Sequence, residues 1–387
     1  MNNLLNNIKK LSKDIKIEII YSKNKNYKCV KTFKTLHNDP INNLIVYQNY
    51  IISSSDDKTI KLWNVDGKYL GKISRKYDQY LFSPWGALSL ATYKNLIISG
   101  WCDGEIQIHD IDQIIYGTPG LCEVQRASDG NRNFKVVALL VNKDKLYSAS
   151  LDDKIRIWEI DDTETKLKIY KIIECPIDRC TNLVLQGKNI IQNGMGYINI
   201  WDEEGKLIKK YKDIINTKEI TNIIVDGEKV IFGLNRDSIQ IFDLEKGICI
   251  KKFGFNHYSS LAKYKNKIIS HKNNSLLIWN QYTGKCVKLI DRHSDIIIKI
   301  KTYGNKIISC SYDNTIKIWE EEKEIDTYKR FLKTNNLKYN LQSLSRDIKM
   351  KIIHYIFSKS LFLNRLTRLD NIDNENELDT WKRFLKM

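Results

Sequence analysis

Short runs in which small residues lead into a polar turn and then into alternating apolar and polar positions recur along this chain. The clearest is Ser309 to Trp319, read Ser-Cys-Ser-Tyr-Asp-Asn-Thr-Ile-Lys-Ile-Trp, with near-copies from Ser53 to Trp63 and from Ser148 to Trp158. Each carries an Asp six residues before its Trp, at Asp57, Asp152 and Asp313. Alternation at period two makes one buried sheet face, and Asp favours tight turns, so the pattern predicts strand, turn, strand. Weaker copies run from Ser99 to His109, Ile191 to Trp201, Phe232 to Phe242 and Ile269 to Trp279. The seven closing residues stand 37 to 49 residues apart.

That period is close to the ~40–45 residues of a four-stranded propeller blade. The set resembles WD-repeat β-propellers, whose repeat opens with Gly-His and closes with Trp-Asp. The opening survives as Leu36-His37, Asn256-His257 and Arg292-His293, and the close as Trp201-Asp202, softened to Trp63-Asn64, Trp158-Glu159, Trp279-Asn280 and Trp319-Glu320. The resemblance implies a buried hydrogen-bond set in each blade. In the seventh copy it would join His293, Asp313 and Trp319 through Ser309 or Ser311; in the first, His37, Asp57 and Trp63 through Ser53 or Ser55. A satisfied buried bond is worth on the order of 1 kcal/mol and an orphaned partner costs about 1–3, so these His residues are expected to be structural.

Residues 28 to 33 resemble the stretches at Cys249 and Cys286 that link one copy to the next. With no blade before it, this first stretch is expected to close the ring as the outer strand of the last blade, removing free edges. Cys29, Cys249 and Cys286 share one place in the repeat and are expected in the core. Cys175 and Cys180 lack the spacing and the second pair of a zinc site.

The pattern changes after residue 322. Leu344, Ile348, Ile352 and Ile356 stand four apart, one stripe of a helix, with Ser345 as N-cap and Asp347 in the first turn. A related run stands at Leu11 to Tyr21, and Asp326 to Lys333 is echoed by Asp379 to Lys386. The stripe resembles the opening of the F-box, especially the short F-box-like ends of poxvirus ankyrin proteins. In that family the motif docks on a Skp-type adaptor and recruits a cullin–RING ubiquitin ligase. Carried over, the adaptor contacts would be Leu344, Ile348, Ile352, Ile353 and Ile356. The sequence departs from the family in having Ser345 for the usual Pro and in placing the motif after the propeller. An amphipathic helix packed on the propeller rim is the plainer reading. The Trp-Asp-x-Arg of cullin-4-type receptors is absent from all seven copies.

Composition narrows the function. The formal net charge is +17 over 387 residues. Lys, Asn, Ile and Tyr are all abundant, as AT-rich coding in a protist or a large DNA virus would produce, and Lys is spread along the whole chain. This weighs against a dedicated nucleic-acid surface without removing it. No apolar run reaches the ~20 residues of a membrane span, and the N-terminus lacks a signal-peptide core, so a cytoplasmic protein is expected, in the host cytoplasm if viral. No phosphate loop, metal motif or nucleophile elbow is present, and no catalytic residue, metal or cofactor is expected. Register with the repeat puts Asn42, Leu88, Val137, Thr181, Thr221, Ser259 and Ile298 near the channel; none is Arg, which speaks against a phosphopeptide ligand. Ile111 to Asn133 reads as a long loop. The expected architecture is all-β: a partly helical tail over 1–27, a seven-bladed propeller over 28–322 and a small α-helical, F-box-like extension over 323–387. Its expected work is to hold protein partners on the propeller faces, with a ligase receptor as the sharper form. A basic propeller bound to RNA or ribosomes is the alternative.

Overall fold

The computed structural model describes residues 27–321 except 76–85, 119–120, 128–133, 162–165, 176–179, 181, 195, 213–218, 235–236, 257–259 and 289–292. Spatially the chain divides after Glu322, and all the described residues belong to the first unit. The expected helix at Leu344, Ile348, Ile352, Ile353 and Ile356, with the rest of the α-helical extension, lies outside them, as do the N-terminal tail and His257.

Among the described residues, seven four-stranded antiparallel sheets follow one another. Blades are numbered here by their closing residues, Trp63 to Trp319. The innermost strand of each blade comes first in sequence and is followed by neighbours running outward. Innermost strands of successive blades from 1 to 5, and of 6 and 7, lie against each other around the propeller axis, and that of blade 7 (Ile297–Tyr303) meets that of blade 1 (Ile41–Tyr47). The ring is closed by Tyr27–Lys34, which pairs with Thr315–Glu321 as the outer strand of blade 7, with Cys29 opposite Trp319. A chain whose first strand completes its last blade leaves no unpaired blade edge at the seam.

The core is a series of clusters between blades. Ile41, Leu44 and Trp63 of blade 1 pack with Ile308, Cys310 and Ile316 of blade 7. Corresponding clusters join blade 6 to 7 and blade 2 to 3. This follows from the strand pattern, in which both faces of the two middle strands are largely buried, as in Tyr50–Ser55 and Thr59–Asn64. A residue of left-handed backbone follows the turn Asp in several blades, including Lys58 at φ +61° and Asn314 at +57°, with Gly104 at +84°. Only Gly takes that conformation without steric cost.

Two sequence expectations are corrected. Ile111 to Asn133 is not one irregular loop. It contains a short helix, α1 (Ile111–Ile115), capped by the Asp110 side chain, and the outer strand of blade 2, Leu121–Arg126. Ile111 and Ile114 are buried between blades 1 and 2, so this part of the insert serves packing. Cys29, Cys249 and Cys286 do share a place, opposite Trp319, Phe242 and Trp279. They are not core residues, however: Cys29 is half-buried and the other two are exposed. They stand on outermost strands, which no further strand covers, and for Cys29 and Cys249 the pairing register slips beside them.

Candidate functional site

The segment between an outer strand and the next innermost strand delivers a side chain to the second turn of the following blade. In blade 7 that side chain is His293. Its Nδ1 lies 2.8 Å from Asp313 Oδ2 and its Nε2 2.7 Å from Ser309 Oγ, while Trp319 Nε1 donates to the same Oγ at 2.9 Å. Thr315 Oγ1 and the amides of Thr315 and Ser294 also donate to Asp313. An ionised carboxylate only accepts, so Nδ1 carries the imidazole proton and Nε2 accepts from the Ser309 hydroxyl. Every donor in the chain Trp319, Ser309, His293, Asp313 then has one acceptor. Blade 1 repeats the geometry: His37 stands 2.9 Å from Asp57 and 2.7 Å from Ser53, and its ring meets that of Trp63 edge-on. Ser311 and Ser55, the other candidates, bond instead to the carbonyls of Asp295 and Asp39.

The electrostatics agree with neutral imidazoles. Burial lowers the proton affinity of His37 and His293, and the nearby carboxylates only partly offset it. Burial acts the other way on Asp57 and Asp313, but hydrogen bonds from Thr and His, with the His contacts adding charge stabilisation, hold both below the usual carboxylate range.

Serine, histidine and aspartate in contact suggest a nucleophilic triad, and the burial argues against one. Ser309 is 0% exposed and His293 1%. The Ser309 oxygen already accepts from Trp319, which leaves it committed within the hydrogen-bond chain. Among the described residues no cluster of three His, Cys, Asp or Glu side chains could hold a metal ion.

The other blades replace parts of the set, and here the sequence reading missed residues. In blade 2, Trp101 rather than the closing residue donates to Ser99, at 3.0 Å. Arg75 takes the part of the histidine, 2.6 Å from Asp103 and 2.5 Å from Glu105, with its guanidinium over the Trp101 ring. His109, at the closing place, is buried with no hydrogen-bond partner at either nitrogen among the described residues, and burial pushes its proton affinity down to about 4. In blade 3, Trp158 bonds Ser148 and Arg156 pairs with the turn Asp152 at 2.7 Å. In blade 4, Gln192 accepts from Trp201 at 3.0 Å. Blade 5 has Phe232 and Phe242, apolar at both places. The sequence signal for Arg156 is a lone basic residue four after a turn Asp, too common to stand out, and Arg75 stands far in sequence from Asp103.

The residue after the closing place has its own task. Asn64, Asp202 and Asp243 each accept two backbone amides of the turn that follows. A short acceptor can do this within its own turn, which is a physical reason for Asp or Asn after the closing aromatic residue.

Of the channel positions expected from register, Asn42, Leu88, Val137, Thr221 and Ile298 lie at or near the start of innermost strands; Thr181 and Ser259 are outside the described residues. Among the described residues no helix is long and apolar enough to cross a membrane.

Comparison with known proteins agrees with this geometry. The family model "WD domain, G-beta repeat" matches residues 27–64 and 284–320, which include the two blades with a bonded Ser–His–Asp set. The WD repeat domain-containing protein 83 homolog of Dictyostelium discoideum is 22% identical over 315 residues, covering 71% of this chain and 92% of that protein. The ribosome biogenesis protein WDR12 homolog of Trichoplax adhaerens is 23% identical, covering 74% of this chain and 64% of its own length. "Putative E3 ubiquitin-protein ligase LIN-2" of Lotus japonicus is 28% identical over 67% of this chain, and the match spans 16% of that protein. The crystal structure of the computationally designed Ika8 protein superposes with a TM-score of 0.56 at 21% identity, covering 73% of this chain and 84% of that one, a likeness of fold.

Proposed function

We propose that this chain, a WD-repeat protein, works as a protein–protein interaction scaffold whose partners dock on the faces of a rigid seven-bladed ring. The observation that carries the reading is how the polar side chains of the best-formed blades are used. Serine, histidine, aspartate and tryptophan are bonded to one another and buried, so they hold the blades and leave the turns to meet partners. The sets His37–Asp57–Trp63 and His293–Asp313–Trp319 are read accordingly as staples between each blade and the segment that enters it.

The sharper form makes the protein a substrate receptor of a cullin–RING ubiquitin ligase. It rests on the F-box-like sequence at Leu344, Ile348, Ile352, Ile353 and Ile356 and on the ligase name carried by the Lotus relative. Affinity capture of the full chain and of Ile352→Asp tests it. The parent should recover a Skp-type adaptor and the variant should lose it while propeller partners stay. Equal recovery by both removes the ligase reading and leaves the scaffold.

The second reading, binding of RNA or ribosomes, is favoured by the +17 charge and by the Trichoplax relative's name. A spread of Lys gives weak binding that falls steeply between low and physiological salt. Tight, salt-resistant RNA binding would put this reading first.

A further inference from the structure

The innermost strand of blade 7 carries Lys299 and Lys301. They pair across to Cys310 and Ile308, which belong to the apolar cluster shared with Ile41 and Leu44 of blade 1. Residues two apart on a strand share a face, so both lysine stems rise on the side turned to blade 1. Both are half-buried, and neither has an ion pair or side-chain hydrogen bond among the described residues.

No other blade does this. At the place of Lys301 the other blades have Ile45, Ala91, Leu140, Val184, Ile224 and Ala262. At the place of Lys299 they are also neutral, and several tie one blade to the next: Asn43 donates to the Leu88 carbonyl and Ser89 to that of Val136. At these two strand positions the closing seam therefore has cations where the other blades have neutral residues. An ammonium on a half-buried stem keeps its charge where water reaches it, and for an innermost strand that is the axial channel. Burial lowers the proton affinity of both, Lys301 to about 8, with the charge of Lys299 adding to the effect.

We propose that Lys299 and Lys301 form a site on the channel wall for a small, multiply charged phosphoryl anion of the pyrophosphate or triphosphate class. Two adjacent ammonium groups without a countercharge repel each other, and a ligand with two linked anionic groups relieves both at once. A single carboxylate would neutralise one. Lysine supplies three donors on a flexible stem, which suits phosphoryl oxygens. The site is independent of the partner-docking role.

The test is calorimetric titration of the full chain with sodium tripolyphosphate at fixed ionic strength. One saturable site per chain is expected. Lys299→Met with Lys301→Met should weaken it by at least ~10-fold, while Lys72→Met and Lys168→Met, exposed on outer strands, should leave it unchanged. The double variant should also melt higher, because it removes unpaired charges from an apolar seam. Absence of a saturable site in the parent, or a double variant that titrates like the parent, overturns the proposal; the latter would mean that the anion collects on the general basic surface. If the Met pair does not fold, Lys299→Gln with Lys301→Gln is used, and failure of both to fold also counts against it, since the lysines would then be needed by the seam itself.

Discussion

Blades 7 and 2 share a backbone plan and are wired differently. Both have a serine on the second strand and an aspartate in the turn that follows. In blade 7 one hydrogen-bond chain runs from Trp319 through Ser309 and His293 to Asp313. In blade 2 the serine is reached by Trp101 from its own strand, Arg75 holds the turn, and His109 has no hydrogen-bond partner among the described residues where blade 7 has its tryptophan. The family model matches blade 7 and does not match blade 2. Backbone ladders and the apolar clusters between blades are common to both, while the side-chain set varies from blade to blade and adds local stability on top of them.

If that is right, the largest effect comes from removing bulk. Trp319→Ala should cost about 3–5 kcal/mol, the range for deleting a large buried aromatic side chain, read by chemical denaturation. Trp319→Phe keeps most of the bulk and loses the bond to Ser309, and should cost about 1–3 kcal/mol. Were the two variants equally damaging, the hydrogen-bond chain and not the packing would carry blade 7, and the comparison would fail.

The second effect is a pH dependence that belongs to blade 2. An ordinary imidazole titrates near 6.5, and burial puts His109 at about 4. As pH falls from 6.5, the unfolded chain takes up a proton there that the folded chain refuses. Stability should therefore fall with decreasing pH through this window and level off for this group below about 4. The share of His109 is on the order of 3 kcal/mol. His37 and His293 are also shifted down and act in the same direction. His109→Phe should remove the share of His109 and, at neutral pH, raise stability by about 1–3 kcal/mol by deleting an unsatisfied buried polar group. Blade 5 already has Phe242 at that place. Denaturation of the parent and His109→Phe at several pH values checks both parts.

The same contrast explains what the sequence made legible. Strand alternation and period gave seven blades and the closing strand, because buried faces repeat whatever polar residues decorate them. The sets at His37 and His293 could be named because their residues stand at repeat-fixed spacings. Arg75 and Trp101 could not: Trp101 sits on a different strand from the closing residue, Arg75 stands just after the outer strand of blade 1, and its pairing is set by how blades 1 and 2 pack together. Lys299 and Lys301 do not stand out in a sequence whose Lys residues are spread along the whole chain. The helix α1 was hidden inside a stretch whose Gly, Pro and Asp residues read as loop.

The smallest effect separates register from burial. Cys249 and Cys310 both face neighbouring strands within their sheets, yet Cys249 is on an outermost strand and exposed, while Cys310 lies 0% exposed between blades 7 and 1. Burial pushes the Cys310 thiol up to about 12, leaving almost no thiolate at neutral pH. A maleimide reagent should label Cys249 in the native protein and Cys310 only after unfolding, which mass spectrometry of the digested protein can resolve. Cys249→Ser should change stability by less than ~0.5 kcal/mol, as expected for a surface change. Cys310→Ser should cost more, because it places a hydroxyl against Ile308 and Ile316 in an apolar cluster. Native labelling of Cys310 as fast as Cys249 would mean that the seam between blades 7 and 1 opens readily, and that the strand Tyr27–Lys34 does not hold the ring shut in solution.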